Sequence, residues 1–349
     1  MSAVSGGAEA PPPPVSAEPN PAAVFDTLLA YQRTAALRTA IEIELFRALG
    51  ESPATPAMLA ARCGVSERGV RILCDYLTTI GLIAKEDGTY RHSPTSEVFL
   101  DPRSPASMAP VVRFLGHPTM LEPWGHLSEI VRSGKTVLPG QGTVEPENPV
   151  WVEFAKSMVP LMFPALAPLA DAVLARRPGA IQVLDIAAGH GLFGIEIAKR
   201  NPEARVVALD WAAVLAVARE NATAAGVLDR MDFLAGNAFD VEFGGPYDAV
   251  LLTNFLHHFD EATCVTLLKK IRAALKPGGV TAVLEFVPNE DRVTPPEAAR
   301  FSMMMLGTTA SGDAYTYRDL ERMHVAAGFK GLAPNPIEAG AESIVVGVS

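Results

Sequence analysis

One stretch, Ile181-Gln182-Val183-Leu184-Asp185-Ile186-Ala187-Ala188-Gly189-His190-Gly191-Leu192-Phe193-Gly194, constrains the fold more than any other part of the chain. Its apolar opening predicts a buried strand, and its small residues predict a tight loop that leads into a helix ending near Arg200. Small side chains let a ligand approach the backbone closely, and the free N–H groups at the helix start favour polar or negative groups. A second strand, Ala204 to Leu209, ends at Asp210 and Trp211. An acidic side chain at the end of that strand can accept both hydrogen bonds of a ribose diol. The second half of the chain is therefore expected to be α/β.

Two frames compete for the glycine loop. Gly189, Gly191 and Gly194 spell G-x-G-x-x-G, and Asp210 follows at about the 20-residue spacing of a nicotinamide dinucleotide fingerprint. In the other frame, Asp185-x-Ala187-x-Gly189-x-Gly191 resembles the acidic glycine loop of class I S-adenosylmethionine (SAM) methyltransferases. Three later features favour the second frame. The strand Tyr247 to Thr253 runs into Asn254-Phe255-Leu256-His257-His258-Phe259-Asp260, a helix with Cys264, Leu267, Leu268 and Ile271, then Leu275-Lys276-Pro277-Gly278-Gly279 and a strand from Val280 to Phe286. That order is similar to these methyltransferases. The chain finishes with a helix from Tyr317 to Gly328 and two strands, one of them Ser343 to Val348, a terminal hairpin that fits their seven-stranded sheet. Gly236-Asn237-Ala238-Phe239 follows the third strand, where such enzymes carry a polar residue that meets the adenine.

The first half reads helical. Phe25, Leu28 and Leu29 share one face, and Leu37, Ile41, Leu45 and Leu49 repeat it before Gly50. Thr55-Pro56 starts a short helix ending at Gly64, and Ser66 caps a second one that ends at Gly81. An Asp87-Gly88 turn then joins two short strands. Helix, turn, helix and hairpin make a winged helix, which in other settings docks on DNA through a segment such as Ser66 to Arg71. With 29 Lys plus Arg against 39 Asp plus Glu, the chain carries a formal charge of −10. Nucleic-acid affinity rests on cations that displace counterions, so no nucleic-acid partner is expected and the winged helix reads as a dimer surface. The rival is a winged-helix regulator that senses SAM.

Cys63, Cys74 and Cys264 lack C-x-x-C spacing, so a reducing compartment, the cytoplasm, is expected and no metal site. Residues 1–20, small and proline-rich, are expected to be a disordered tail with no targeting signal. The most apolar run, Ser157 to Ala170, holds Pro160, Pro164 and Pro168 and falls short of the ~20 residues that span a bilayer. No membrane partner is expected. Between the halves, residues 106–178 read as further helices with aromatic and Met positions, interrupted by a Gly- and Pro-rich surface loop from Ser133 to Pro149.

Together these segments resemble the SAM-dependent O-methyltransferases that join an N-terminal winged-helix dimerisation domain to a class I SAM domain, as in the caffeic acid and acetylserotonin enzymes and their bacterial relatives. The likeness covers Pro21 to Ser349 and is strongest in Val183 to Gly191, Leu256 to Cys264, Lys276 to Gly279 and Gly312 to Phe329. Tyr31-Gln32-Arg33-Thr34, Ser66-Glu67-Arg68-Gly69 and Gly312-Asp313-Ala314-Tyr315-Thr316 mark the bacterial branch. The resemblance implies a dimerisation domain over 21–105, a helical substrate-lining region over 106–178 and a Rossmann-like, seven-stranded catalytic domain over 179–349. It implies a homodimer that transfers the methyl of SAM to a hydroxyl of a small apolar or aromatic acceptor, leaving S-adenosylhomocysteine. His257 falls on the general base and Glu285 on its supporting acid, with His258 structural. Asp185, Ala187, Gly189, Gly191, Asp210, Trp211, Asn237, Ala238, Phe239 and Asn254 fall on the cofactor site. Phe154, Met158, Met305 and Thr309 fall on the acceptor pocket.

Two departures from the pattern stand out. Ala187-Ala188 replaces a glycine pair, which is tolerable where the backbone angles are ordinary. Ala314 stands where a second supporting glutamate is expected, which leaves C-methylation of an activated ring or enol as the alternative within the class. A nicotinamide oxidoreductase is the alternative outside it.

Overall fold

Helix caps set the first unit. The computed structural model describes residues 19–333 and 336–349, which divide into two units, one up to His117 and one from Pro118. The proposed tail lies outside the described residues except Pro19 and Asn20. The first unit holds helices α1 (Pro21–Leu28), α2 (Ala30–Glu42), α3 (Leu45–Leu49), α4 (Pro56–Cys63) and α5 (Glu67–Thr79), then strands β1 (Ile83–Glu86) and β2 (Thr89–His92), and α6 (Pro94–Phe99) and α7 (Val111–Leu115). Asn20 caps α1, Thr55 caps α4 by accepting from the Met58 N–H, and Ser66 caps α5 by accepting from the Gly69 N–H. Asp87 and Gly88 both have positive φ, the geometry a two-residue hairpin needs. Leu45, Phe46, Leu59, Val70, Cys74, Leu77, Ile83 and Tyr90 fill one core, so α4, α5 and the hairpin form the expected wing. By contrast α1 buries nothing: Val24, Phe25 and Leu28 are 60%, 63% and 63% exposed.

The second unit begins with α8 (Pro118–Gly125), α9 (Leu127–Ser133), α10 (Val150–Ser157) and α11 (Val159–Leu174). Residues 134–149 are irregular, as expected, but they are not merely a surface loop. The Thr143 N–H and hydroxyl both donate to the Thr308 carbonyl, at 2.8 and 3.1 Å, and the Trp151 indole N–H donates to the Thr143 carbonyl at 2.8 Å. No single described helix is long and apolar enough to cross a membrane; α10 and α11 reach that length only as a pair bent by 68°.

The sheet follows: β3 (Gln182–Ile186), α12 (Leu192–Arg200), β4 (Arg205–Asp210), α13 (Ala212–Ala224), β5 (Met231–Ala235), β6 (Tyr247–Thr253), α14 (Glu261–Ala274), β7 (Leu275–Glu285), α15 (Pro296–Thr308), α16 (Tyr317–Ala326), β8 (Ile337–Ala339) and β9 (Glu342–Val348). Its order is β5-β4-β3-β6-β7-β9-β8, parallel from β5 to β7, with β9 antiparallel to both β7 and β8. An all-parallel dinucleotide fold of order 3-2-1-4-5-6 has no such inserted antiparallel strand. Alternate residues of β3 serve opposite faces: Val183 joins the core under α11 and α12, and Leu184 the core under α14. Each fully buried Leu or Val contributes about 1.5–3 kcal/mol. This two-sided core holds the carboxyl ends of β3, β4, β6 and β7 along one edge, where Asp210, Asn254 and Glu285 sit.

Candidate active site

The glycine loop is bent by three residues with positive φ: Ala187 at 54°, Gly189 at 56° and Gly191 at 74°. The ordinary backbone expected at Ala187 is therefore corrected. An alanine there carries about 1–2 kcal/mol of strain. It is held because the Ala188 N–H bonds to the Leu209 carbonyl at 3.1 Å and the Gly191 N–H to the Ala188 carbonyl at 2.7 Å. Gly194 has a different task, since a Cβ there would stand 2.7 Å from Val206 Cγ1; it lets α12 lie close on β4.

Two carboxyls face this loop. Asp185 is fully buried; its Oδ2 accepts from the Gly194 N–H at 3.2 Å, and its Oδ1 has no partner among the described residues. Burial pushes its pKa up to about 7. Asp210 accepts from the Gly189 N–H at 2.8 Å and from the Trp211 N–H at 2.7 Å, and burial raises its pKa to about 6. A cavity beside the loop is lined by Phe154, Met162, Ala187, Gly189, His190 and Asn254, among others. An unsatisfied buried carboxylate oxygen calls for a cation, and a carboxylate at a strand end retains lone pairs for a diol. The donor set thus fits a ligand that carries both an ammonium and a ribose, as SAM does.

The remaining expected cofactor residues divide. Asn254 lines the cavity with its backbone at φ 55°. Asn237 instead closes its own turn, accepting from the Phe239 N–H at 3.0 Å and donating to Asp240 at 2.9 Å, and the Ala238 and Phe239 carbonyls accept from Lys270. Trp211 packs against the cluster of Ala155, Val214 and Val217. Sequence reasoning gave no role to His190, whose buried ring lines the cavity and whose Nδ1 accepts from the Leu192 N–H at 3.1 Å. Its position between two loop glycines was the available signal. Met162, one of the Met positions of the helical region before the sheet, lines the cavity too, although its apolar run reads mostly as core.

After β6 the chain forms one helical turn, Leu256–His258, gripped by Glu285 from the end of β7. Glu285 Oε1 accepts from the N–H groups of Phe255, Leu256 and His257 at 3.1, 2.8 and 3.3 Å. Its Oε2 is hydrogen-bonded to His257 Nδ1. A proton on Nδ1 leaves Nε2 with a free lone pair. Burial lowers the His257 pKa well below 6.5, so the ring is neutral. The same burial raises Glu285 to about 7. His258 is also buried; its Nδ1 meets the Phe255 carbonyl at 3.2 Å and its ring stands edge-on to Trp151, centroids 5.1 Å apart.

Aromatic rings surround the pair. Phe301 of α15 meets His257 edge-on at 4.7 Å and stacks on Phe286 at 4.1 Å. The four expected acceptor residues lie on α10 and α15 or at their C-caps. Phe154 faces the glycine loop, its ring 3.8 Å from where a Gly189 Cβ would stand. Met158 and Met305 are buried, and the Thr309 hydroxyl is spent on donating to the Met305 carbonyl and accepting from the Gly312 N–H. Gly312 is tightly placed, since a Cβ there would stand 2.2 Å from the His257 carbonyl oxygen, which accepts from the Asp313 N–H at 3.0 Å. Ala314 is fully buried and brings no carboxyl to the site.

The sequence matches the O-methyltransferase domain over residues 172–330 and the O-methyltransferase dimerisation domain over residues 25–102. A Nostoc punctiforme protein of solved structure, provisionally assigned as an O-methyltransferase, is 43% identical with a TM-score of 0.90, covering 95% of this chain and all of that one. The 3-hydroxy-5-methyl-1-naphthoate 3-O-methyltransferase of Streptomyces sahachiroi is 29% identical over 306 residues, 85% of this chain and 87% of that enzyme. Human N-acetylserotonin methyltransferase in complex with SAM shares the fold at 22% identity and a TM-score of 0.79, over 96% of this chain and 99% of that one. Strand order, glycine loop and domain matches agree: the chain belongs to the SAM-dependent O-methyltransferase family.

Proposed function

We propose that this enzyme methylates a hydroxyl of an apolar or aromatic small molecule, with His257 as general base and Glu285 as the acid that orients it. The supporting observation is the double grip of Glu285, which fixes the turn through three N–H groups and the imidazole through Nδ1. Bound SAM supplies an electrophilic methyl on a sulfonium. The residues of the chain do the rest. Asp185 Oδ1 receives the ammonium, Asp210 the ribose diol, and the loop at Ala187, Gly189 and Asn254 lies against the donor. His257 Nε2 takes the acceptor proton as the oxygen attacks, a contribution of about 10²–10⁴ in rate, while alignment of the two reactants lowers the barrier further. The Phe286–Phe301 stack beside His257 suits a flat, uncharged acceptor.

The enzyme acts as a cytoplasmic homodimer in this reading. The apolar side chains that α1 leaves exposed supply the surface, and three unpaired cysteines suit a reducing compartment. The test is a screen of phenols, catechols, indoles and quinones with methyl-labelled SAM, each product mapped by NMR. An O-methyl product supports the proposal. A C-methyl product, which the alanine at position 314 would accommodate, refutes the hydroxyl assignment, and no transfer to any acceptor class refutes the acceptor class.

A further inference from the structure

We propose that His190 binds the carboxylate of the methionine moiety of SAM through its Nε2–H, so that the glycine loop receives both ends of a zwitterion. The inference rests on the reading of the cavity as the SAM site. His190 stands between Gly189 and Gly191, is 2% exposed, and lines the cavity. Its Nδ1 accepts from the N–H of Leu192, the first residue of α12, at 3.1 Å. A ring nitrogen that accepts from a backbone N–H carries no proton of its own, so the proton of the neutral ring sits on Nε2. Burial keeps the ring neutral, its pKa lowered to about 4. The loop that carries the ring thus also sets its tautomer.

The residue is anchored from a second side. Asn221 Nδ2 donates to the His190 carbonyl at 2.9 Å, which ties the loop to α13, and the Phe193 ring lies 5.8 Å away, tilted by 39°. Nε2 has no hydrogen-bond partner among the described residues. A buried donor in that position calls for an acceptor, and the cavity is where one can enter. At the end of the strand that feeds the same loop, Asp185 Oδ1 is an acceptor without a partner among the described residues. One spare donor and one spare acceptor match an α-amino acid, whose carboxylate and ammonium share a single carbon.

The other groups around the cavity do not supply that donor. Neither Lys nor Arg lines it, and the Asn254 amide is directed at the Met162 sulfur, 3.6 Å away. A cation at position 190 would also pair with Asp185 and repel the ammonium, whereas a neutral N–H meets a carboxylate without competing for the acid.

The experiment compares SAM with decarboxylated SAM, which keeps the ammonium, sulfonium and nucleoside, in calorimetric titrations of wild type and H190N. Asparagine can accept from the N–H two residues on, as Nδ1 does, but brings no donor to the place of Nε2. Expected for H190N are an unchanged thermal midpoint and SAM binding weaker by about 10–100-fold, the worth of one hydrogen bond to a charged group. Its affinity for decarboxylated SAM should stay within about threefold of wild type. The wild type itself should prefer SAM to the decarboxylated ligand by about 10–100-fold, and nitrogen-15 NMR of its histidines should show His190 as the Nε2–H tautomer without ligand. SAM affinity within threefold of wild type in H190N, equal losses for the two ligands, no preference for SAM in the wild type, or a proton on Nδ1 would each overturn the proposal. Failure of the wild type to bind SAM would instead overturn the reading of the cavity.

Discussion

Replacing Glu285 by glutamine separates orientation of the base from support of the fold. A glutamine carbonyl in place of Oε1 keeps the three N–H bonds at 2.8–3.3 Å. Its NH₂ group then faces His257 Nδ1, where the carboxylate had accepted a hydrogen bond. Two N–H donors cannot face each other, so the imidazole moves its proton to Nε2 and presents a donor where the acceptor hydroxyl needs a base. The tautomer is wrong although the geometry is kept. The expected fall in kcat is about 10²–10⁴, or about 2.7–5.4 kcal/mol of barrier. Stability changes by only about 1 kcal/mol, the difference between charged and neutral acceptors. Alanine is the wrong probe, since it strands three buried N–H groups at about 1–3 kcal/mol each and the chain unfolds. Transfer of labelled methyl at saturating SAM and acceptor reads the effect, with SAM affinity as control. Turnover within threefold of wild type in a folded E285Q would refute the claim that Glu285 sets the His257 tautomer.

Asp210→Ala should weaken SAM binding by about 10²-fold or more, because two hydrogen bonds to a charged group are lost at about 1.5–3 kcal/mol each; unchanged calorimetric affinity would remove Asp210 from the ribose. SAM binding at pH 6 should release a proton. Asp185 is raised from 3.8 to about 7, so the ligand-free chain holds that proton below pH 7, and an ammonium beside it favours the ionised form. In stability terms its contribution is complete below about pH 4 and is lost as pH rises through 7, which makes SAM increasingly stabilising over that range. A binding enthalpy independent of buffer ionisation heat would show that Asp185 does not meet the ammonium. Charging the α1 face with Phe25→Glu and Leu28→Glu should convert a dimer to a monomer in sedimentation, and an unaltered dimer would move the interface elsewhere.

What the sequence disclosed follows from how each feature is encoded. Continuous apolar runs such as Val183 to Ile186 and Tyr247 to Thr253 announce buried parallel strands, and caps at Thr55 and Ser66 announce the winged helix, because these signals are local. The His257–Glu285 pairing was legible only through family resemblance, since the partners lie 28 residues apart on different elements. Ala187 hid its left-handed backbone because alanine carries no mark of it, and the strain is fixed by bonds to Leu209 and Gly191. The tie of Thr143 to Thr308 spans 165 residues and could not be read from a Gly- and Pro-rich loop. Asn237, a polar residue at an expected ligand position, also satisfies its own turn, which its sequence neighbours do not announce.

The central claim is that His257 Nε2 removes the acceptor proton beside the SAM site. His257→Ala tests it most directly, with SAM affinity and single-turnover methyl transfer measured on the same preparation. The account predicts SAM affinity within about threefold of wild type and transfer slowed by about 10²–10⁴. Transfer at the wild-type rate would contradict it and move the chemistry to another group.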